Sequence, residues 1–178
     1  MNDKDKDLTG RVAALVDRAE LTELVARFFA SIDDRQRDPR AHPFDGAWAR
    51  GLFTEDVEFR YPVGAYTGHA DEAMDLTMDN FGRTQHLAGI PQIALDGDRA
   101  AVRWSAVHTH VHLASTQEAR ADRLGETFVS GGHYDAEAVR TPEGWRFRAV
   151  ALDVAWTAGK PPLVPPERQE AMRRLAAS

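Results

Sequence analysis

Apolar residues in the first fifth of the chain recur with helical spacing. They stand at i, i+3, i+4, i+7 and i+11, which places them on one side of an α-helix. This apolar stripe consists of Leu21, Leu24, Val25, Phe28 and Ile32. Asp17 with Glu20 resembles a capping box and predicts the helix start. Asp33 and Asp34 are predicted to close the helix.

The rest of the chain predicts two more helices and then mostly strands. Residues 45–53, with Asp45 as the cap, and residues 69–81 are predicted helices. Residues 57–62 alternate as a strand does, and VGAYTG turns back. From residue 85 onward, four strands are predicted within 86–95, 99–113, 126–140 and 145–156. Short turns join the first pair and the last pair, and the loop STQEARADRLG (115–125) joins the second strand to the third. Helices followed by a strand meander predict an α+β fold, with the helices packed on one face of a strongly curved antiparallel sheet. Such a sheet forms a cone whose mouth is a natural pocket.

The pattern divides the chain into three parts. The charged start, residues 1–8, predicts a disordered tail. Residues 9–158 predict the folded domain, and residues 159–178 a proline-rich arm with one or two helical turns.

Composition narrows the classes of function. The formal net charge is −6, cysteine is absent, and no basic stripe is visible. A nucleic-acid partner is therefore not expected, because phosphate contacts need clustered Lys and Arg. The chain shows no signal peptide and no apolar run long enough to cross a bilayer, so a cytoplasmic protein without a membrane partner is expected.

One stretch, AVHTHVHLAS (106–115), raises a direct chemical question because histidines occupy every second position. On a strand, His108, His110 and His112 share a face with Trp104 and Ala106, and this face runs from apolar to imidazole. It is the expected pattern of a strand that enters a polar cavity. Two such histidines could bind zinc with a third ligand from elsewhere. We favour acid–base chemistry, with no metal.

Other elements supply candidate partners for this face. Asp33 falls beside the buried stripe of the first helix and needs a donor or cation if it is partly buried. His86 begins the first long strand, and Tyr61 ends the early strand and could offer a phenol. One face of the last strand is expected to wall the pocket; it carries Val150, Leu152, Val154 and Trp156.

These residues resemble a known family. The chain is similar to SnoaL-like members of the NTF2-like superfamily, which are cone-shaped α+β domains. The motifs that carry the resemblance span about residues 15–158 and recur in the expected order; they are RAELTELVARFFASID, LFTEDVEF, YTGHADEAM, TQHLAG, ALDGDRAAV, GGHYDAEAVR and EGWRF.

Within that superfamily, the site residues resemble those of scytalone dehydratase, which eliminates water from a hydroxylated bicyclic ketone without metal or organic cofactor. The resemblance implies that Asp33 pairs with His86 of the TQH motif, and that His110 and Tyr61 are the second histidine and the tyrosine. Similarity to hexachlorocyclohexane dehydrochlorinase covers the same Asp33–His86 dyad.

Some positions depart from these relatives. Ile32 stands where the dehydratase has a tyrosine, its polar pair on the third long strand falls near Gly132 and Tyr134, and the dehydrochlorinase arginine falls on Val150. The resemblance therefore carries the proton-transfer groups and neither named substrate. Trp104, Ala106, His108 and Tyr134 are expected to contact the substrate.

The sequence thus predicts a cofactor-free lyase that removes water β to a carbonyl of a small hydroxylated cyclic or aromatic molecule. A polyketide cyclase, an isomerase, an epoxide hydrolase and a non-catalytic binding or docking module remain alternatives on the same fold. A homodimer or homotrimer is expected through the outer sheet face, which carries Arg103, Val107, Thr109 and Val111.

Overall fold

The computed structural model describes residues 3–62, 64–123 and 125–177, and of residues 3, 4 and 6 the backbone alone. Within these residues the chain forms five helices and seven strands. The helices are α1 (Asp3–Arg37), α2 (Gly46–Leu52), α3 (Ala70–Met78), α4 (Ala114–Arg120) and α5 (Pro166–Leu175). The strands are β1 (Phe53–Tyr61), β2 (Gly64–Thr67), β3 (Phe81–Ala88), β4 (Gln92–Asp96), β5 (Arg99–His112), β6 (Thr127–Thr141) and β7 (Gly144–Ala158). The α+β class is as predicted.

Helix α1 is longer than predicted at both ends. It begins at Asp3, so residues 3–8 of the expected tail are helical; residues 1–2 lie outside the described residues. Lys, Leu and Ala favour helix, and Asp7 and Arg11 form an i,i+4 pair. The predicted cap at Asp17 is wrong. Its carboxylate instead accepts hydrogen bonds from Arg140 at 2.7 Å and from the indole of Trp145 at 3.3 Å.

The predicted apolar stripe of α1 is confirmed. Its five side chains are at most 3% exposed. Phe28 lies at the centre, with ring centroids 5.7 Å from Phe53 and 6.2 Å from Phe147. The helix ends at Arg37 rather than at Asp33 and Asp34, because hydrogen bonding continues for one more turn. Asp33 therefore projects from a regular helical turn.

Short helices connect the early elements. Asp45 caps α2 as predicted and accepts from the backbone N–H groups of Ala47 and Trp48. The predicted helix 69–81 is shorter, because β3 already begins at Phe81. Within the predicted loop after β5, α4 forms an unpredicted helix of seven residues.

The sheet is open and mixed, with strand order β2-β1-β7-β6-β5-β3 and with β4 also paired to β5. The prediction of an antiparallel sheet is wrong at one junction, because β1 and β7 run parallel. β1 follows α1 and α2, and β7 ends the meander, so their pairing depends on how the chain returns and not on a hairpin turn. The remaining pairs are antiparallel.

The predicted first long strand is interrupted. Residues 89–91 separate β3 from β4, and both strands pair with β5. Pro91 lacks the N–H that a continuous ladder requires. His86 is thereby fixed on β3, in register with His108 of β5.

The proline-rich arm is more ordered than one or two helical turns. It runs through Pro161 and Pro162 into α5, a helix of ten residues that packs against α3 and β2. Arg168 of α5 donates to the side-chain oxygen of Asn80 at 3.1 Å. Among the helices in the described ranges, none has the length and apolar character needed to cross a membrane.

Candidate active site

A carboxylate of α1 is bound to strand β3 by three hydrogen bonds. The Asp33 Oδ1 atom lies 2.6 Å from Nδ1 of His86 and accepts from the Thr84 hydroxyl at 2.7 Å. Its Oδ2 atom accepts from the backbone N–H of His86 at 2.8 Å. The Asp33 side chain is 26% exposed and that of His86 is 4% exposed. The predicted dyad is therefore present, and its geometry is tight.

The pKa of Asp33 reflects two opposing effects. Burial alone would raise this pKa, but the hydrogen bonds from the His86 ring, from the His86 backbone and from Thr84 outweigh burial, so the pKa is lowered. The carboxylate is therefore ionised at neutral pH. As a pure acceptor, it fixes a hydrogen on Nδ1 of His86 and leaves Nε2 as the basic nitrogen.

Strand β5 brings the predicted histidines to the inner face. His108, His110 and His112 are 3%, 6% and 2% exposed, and the predicted alternation holds along the whole strand. The ring centroids of His108 and His110 each lie 5.3 Å from that of His86. His112 is buried but lines no part of the cavity described below.

Both cavity histidines of β5 are neutral. Burial, followed by the nearby His86, lowers the pKa of His108 to about 4. Burial, with His86 and His108 next in importance, lowers the pKa of His110 to about 3. The His110 ring stacks on Phe81 with centroids 4.2 Å apart, and within the described residues its Nδ1 has no hydrogen-bond partner.

His108 is held from both sides by hydroxyl groups. Its Nδ1 lies 3.0 Å from the Ser130 hydroxyl, and its Nε2 lies 3.1 Å from the Tyr134 hydroxyl. Tyr134 in turn stacks on Trp104, with ring planes only 2° apart. His108 is thus more constrained than His110.

These groups face one cavity of about 330 Å³ between the sheet, α1, α3 and the C-terminal arm. That size lies at the lower end of small-molecule sites, about 300–1,000 Å³. Its wall is mainly aromatic, aliphatic and methionine side chains, and among the described lining residues there is no Lys, Arg, Asp or Glu. The polar groups of the wall are Thr77, Asn80, His86, His108, His110, Ser130, Thr157 and the tyrosines 61 and 134.

Tyr61 lines the cavity as predicted. Its hydroxyl oxygen is buried and, among the described residues, has no hydrogen-bond partner. Burial, with the nearby Tyr134 and Tyr66 as smaller causes, raises the pKa of Tyr61 well above its usual range. The phenol therefore keeps its proton and can donate it to a ligand oxygen.

The structure separates the predicted lining residues into two groups. His108, Tyr134, Leu152 and Val154 line the cavity. Trp104, Ala106 and Val150 do not; they are buried behind the wall, at 3%, 5% and 1% exposure.

The prediction that Trp156 walls the cavity is wrong. The β6–β7 register shifts between Gly131 and Gly132, which leaves Ala155 as an extra residue of β7. This bulge reverses the faces beyond it, so Thr157 lines the cavity. Trp156 is 49% exposed and packs over Gly131.

Sequence reasoning missed several site residues. Thr84 stands two residues before His86 and therefore shares its strand face, so the period-2 pattern could have indicated Thr84. Ser130 could be found only from the register, which sets it opposite His108. The arm residues Pro161, Pro162, Val164 and Met172 also line the cavity, and no sequence pattern indicates their position.

A metal site was the alternative for these histidines. Within the described ranges, no group of three or more His, Asp or Glu side chains is arranged to hold a metal ion. Both ring nitrogens of His108 already face hydroxyl groups, which explains why this residue is not placed as a ligand.

The sequence matches the SnoaL-like domain family over residues 13–151. The uncharacterized protein Rv2910c of Mycobacterium tuberculosis is 27% identical over 139 residues, which cover 76% of this chain and 83% of the relative. The family match includes the Asp33–His86 region and ends before the C-terminal arm.

Solved structures share the fold. An NTF2-like superfamily protein from Salmonella enterica has a TM-score of 0.65 and 21% identity, and covers 82% of this chain and 96% of its own. A proposed scytalone dehydratase from Novosphingobium aromaticivorans has a TM-score of 0.67 and 19% identity, and covers 85% and 92%. A hexachlorocyclohexane dehydrochlorinase from Novosphingobium barchaimii has a TM-score of 0.64 and 15% identity, and covers 88% and 99%. At these identities the likeness concerns the fold alone.

Proposed function

This chain belongs to the SnoaL-like domain family, and from that premise we propose that it is a cofactor-independent acid–base enzyme that removes water β to a carbonyl of a hydroxylated ring compound. The observation that carries the proposal is the Asp33–His86 pair at 2.6 Å, with the His86 ring 5.3 Å from that of His110 and both rings lining one mainly apolar cavity. The names of two structural neighbours, a proposed dehydratase and a dehydrochlorinase, both denote eliminations. An elimination needs a base at a carbon and a donor at the leaving group.

His86 is the base in this mechanism. Its Nε2 removes the proton from the carbon next to the carbonyl, and the ionised Asp33 stabilises the imidazolium that forms. Tyr61 donates its hydroxyl hydrogen to the carbonyl oxygen, where negative charge develops. The apolar wall strengthens both interactions because it excludes water.

His110 acts on the departing group. Because its pKa is lowered to about 3, the imidazole is neutral, and it donates a hydrogen bond to the leaving hydroxyl. The carbon–oxygen bond breaks, and the proton held by His86 passes to the hydroxide to give water. The dyad returns to its starting state, so no external proton or electron is needed.

The cavity also indicates the substrate class. A wall without Lys or Arg among the described lining residues offers no partner to a carboxylate or phosphate, and an unpaired charge is costly to bury. We therefore propose a neutral substrate of one or two rings. A non-catalytic docking module gives no reason to gather a carboxylate, two imidazoles and a phenol around an apolar space.

The test uses 3-hydroxy-1-tetralone, a neutral bicyclic β-hydroxy ketone whose loss of water gives fluorescent 1-naphthol. We expect turnover by the wild type and a fall of about 10²–10⁴-fold in kcat for His86→Gln and for His110→Phe. His133→Phe is the matched control, because His133 lies on the outer sheet face with Ser105 as its partner. Turnover that survives both inner substitutions would refute the mechanism. Treatment with a chelator should leave the rate unchanged.

A further inference from the structure

The mechanism gives no role to a trio of buried polar groups in the cavity wall. His108 is 3% exposed, and its two hydroxyl partners, Ser130 and Tyr134, are 6% and 5% exposed. All three line the cavity. Removing an imidazole and two hydroxyl groups from water costs free energy, which their mutual hydrogen bonds offset only in part. We therefore expect this trio to have a function.

A neutral imidazole has one donor nitrogen and one acceptor nitrogen. It cannot accept hydrogen bonds from both hydroxyl groups, nor donate to both. One hydroxyl must therefore donate to His108 while the other accepts from it. The hydroxyl that accepts keeps its own hydrogen free for the cavity, and the hydroxyl that donates offers the cavity only lone pairs.

The surroundings of the ring select one of the two arrangements. A phenol is more acidic than an aliphatic hydroxyl, so the Tyr134 hydroxyl is the stronger hydrogen-bond donor of the two groups at the ring. We therefore assign Nδ1–H as the donor to Ser130 and Nε2 as the acceptor from the Tyr134 hydroxyl. The buried phenol keeps its proton because burial raises the pKa of Tyr134.

We propose that His108 is a positioning residue that makes Ser130 an obligate donor and Tyr134 an obligate acceptor toward the substrate. The site then selects a neutral ring compound that carries, besides its reacting groups, one oxygen that accepts a hydrogen bond and another that donates one. The imidazole ring separates the two hydroxyl oxygens, so they contact two different oxygens of the ligand. This inference deepens the proposed function and rests on its assignment of the cavity as the substrate site.

The test measures binding of four unreactive bicyclic probes at pH 7 by titration calorimetry. The probes are 6-hydroxy-1-tetralone, 1-tetralone, 5,6,7,8-tetrahydro-2-naphthol and tetralin, which carry both groups, the ketone alone, the hydroxyl alone and neither. We expect the wild type to prefer each oxygenated probe over tetralin by about 2–10-fold for each hydrogen bond.

Three substitutions separate the roles of the trio, each made in a Tyr61→Phe background so that Tyr61 cannot bind the probe ketone. Ser130→Ala should lose the preference for the ketone and keep that for the hydroxyl, whereas Ser130→Thr should retain both. Tyr134→Phe should lose only the preference for the probe hydroxyl and keep that for the ketone. His108→Phe should lose both preferences while tetralin still binds, which shows that the cavity is intact. If His108→Phe fails to fold, the Ser130→Ala and Tyr134→Phe pair still decides the question.

Two outcomes would overturn the proposal. One is a His108→Phe variant that still binds the oxygenated probes more tightly than tetralin. The other is an equal loss of affinity for the same probes in Ser130→Ala and in Tyr134→Phe. His133→Phe is again the control, since it alters a His–Ser contact of the same two strands on the outer face. In His86→Gln, the probe preferences should persist although turnover is lost. Failure of the proposed function is therefore distinguishable from failure of this inference.

Discussion

At Asp33, the carboxylate accepts three hydrogen bonds, all of them from strand β3. Two of its three donors come from His86, one from the ring and one from the backbone. The carboxylate thus fixes both the position of the strand and the tautomer of the ring. The contact between α1 and β3 therefore sets the orientation of the His86 imidazole.

Substituting this carboxylate tests its role directly. Asp33→Asn preserves the shape but removes the charge that stabilises the imidazolium, so kcat toward a turned-over substrate should fall by about 10²–10⁴-fold. KM should change little, because Asp33 lies behind His86 and does not line the cavity. Asp34→Asn is the neighbouring control, since Asp34 faces the surface and pairs with Arg37. A large effect of the control would indicate damage to α1 instead.

The lowered pKa values of His108 and His110 make stability depend on pH. Unfolded imidazoles titrate near about pH 6.5, whereas in the fold these pKa values are about 4 and about 3. Below about pH 6.5 the unfolded state therefore binds more protons, and the free energy of unfolding falls as pH falls toward about 4. Above about pH 6.5 neither group contributes a slope.

Urea denaturation between pH 7 and pH 4.5 measures this slope. Each histidine contributes at most about 1.4 kcal/mol per pH unit. His110→Phe should flatten the curve by up to that amount, and His133→Phe should not. Equal slopes in wild type and His110→Phe would show that His110 is protonated as readily in the fold as in the unfolded chain.

At the scale of elements, the bulge in β7 determines which side chains of this strand line the cavity. Before the bulge, Leu152 and Val154 line the cavity; after it, Thr157 does so and Trp156 leaves. The glycines opposite the bulge allow β6 and β7 to stay paired there. A Cβ on Gly132 would lie 2.5 Å from the backbone oxygen of Asp153, a contact that no rotamer change can relieve.

Two adjacent alanine substitutions test this element. Gly132→Ala should destabilise the protein by about 1–3 kcal/mol, because backbone must move to accept the methyl group. Gly131→Ala should cost less, since the added Cβ meets the ring of Trp156, a half-exposed side chain that can swing away. Chemical denaturation of both variants gives the order. The reverse order would mean that the strands are free to separate at the bulge.

At the scale of the molecule, the C-terminal arm supplies one part of the cavity wall from beyond the matched family domain. The family match ends at residue 151, and the arm adds Pro161, Pro162, Val164 and Met172 to the cavity wall. Lys160 pairs with Asp122, and Arg168 donates to Asn80, so the arm is attached at both ends.

Truncation after Gly159 should therefore open the cavity without unfolding the domain. We expect the circular dichroism spectrum to retain its strand signal, while tetralin binds about tenfold more weakly or worse, since each 1.4 kcal/mol of lost apolar contact is about tenfold. Lys160→Gln, which removes only the ion pair with Asp122, is the milder comparison. Unchanged affinity after truncation would show that the arm contributes nothing to the wall.

The sequence by itself determined the elements and the chemistry-bearing faces. Helical spacing fixed the stripe around Phe28, and strict alternation placed His108 and His110 on the inner face, because both depend only on local geometry. The resemblance implied Asp33, His86 and Tyr61, and the structure brings Asp33 into contact with His86 and places Tyr61 in the same cavity wall. Local patterns also missed α4 and the true ends of α1, where hydrogen bonding extends beyond the predicted cap.

Only the tertiary structure decided which of these groups meet. The parallel pairing of β1 with β7, the bulge at Ala155 and the return of the arm over the cavity involve residues far apart in the chain. A one-residue change of register reverses every side chain beyond it, so Trp156 and Thr157 could not be assigned from periodicity. Ser130 became a partner of His108 for the same reason: strand pairing, not spacing along the chain, sets one residue opposite another.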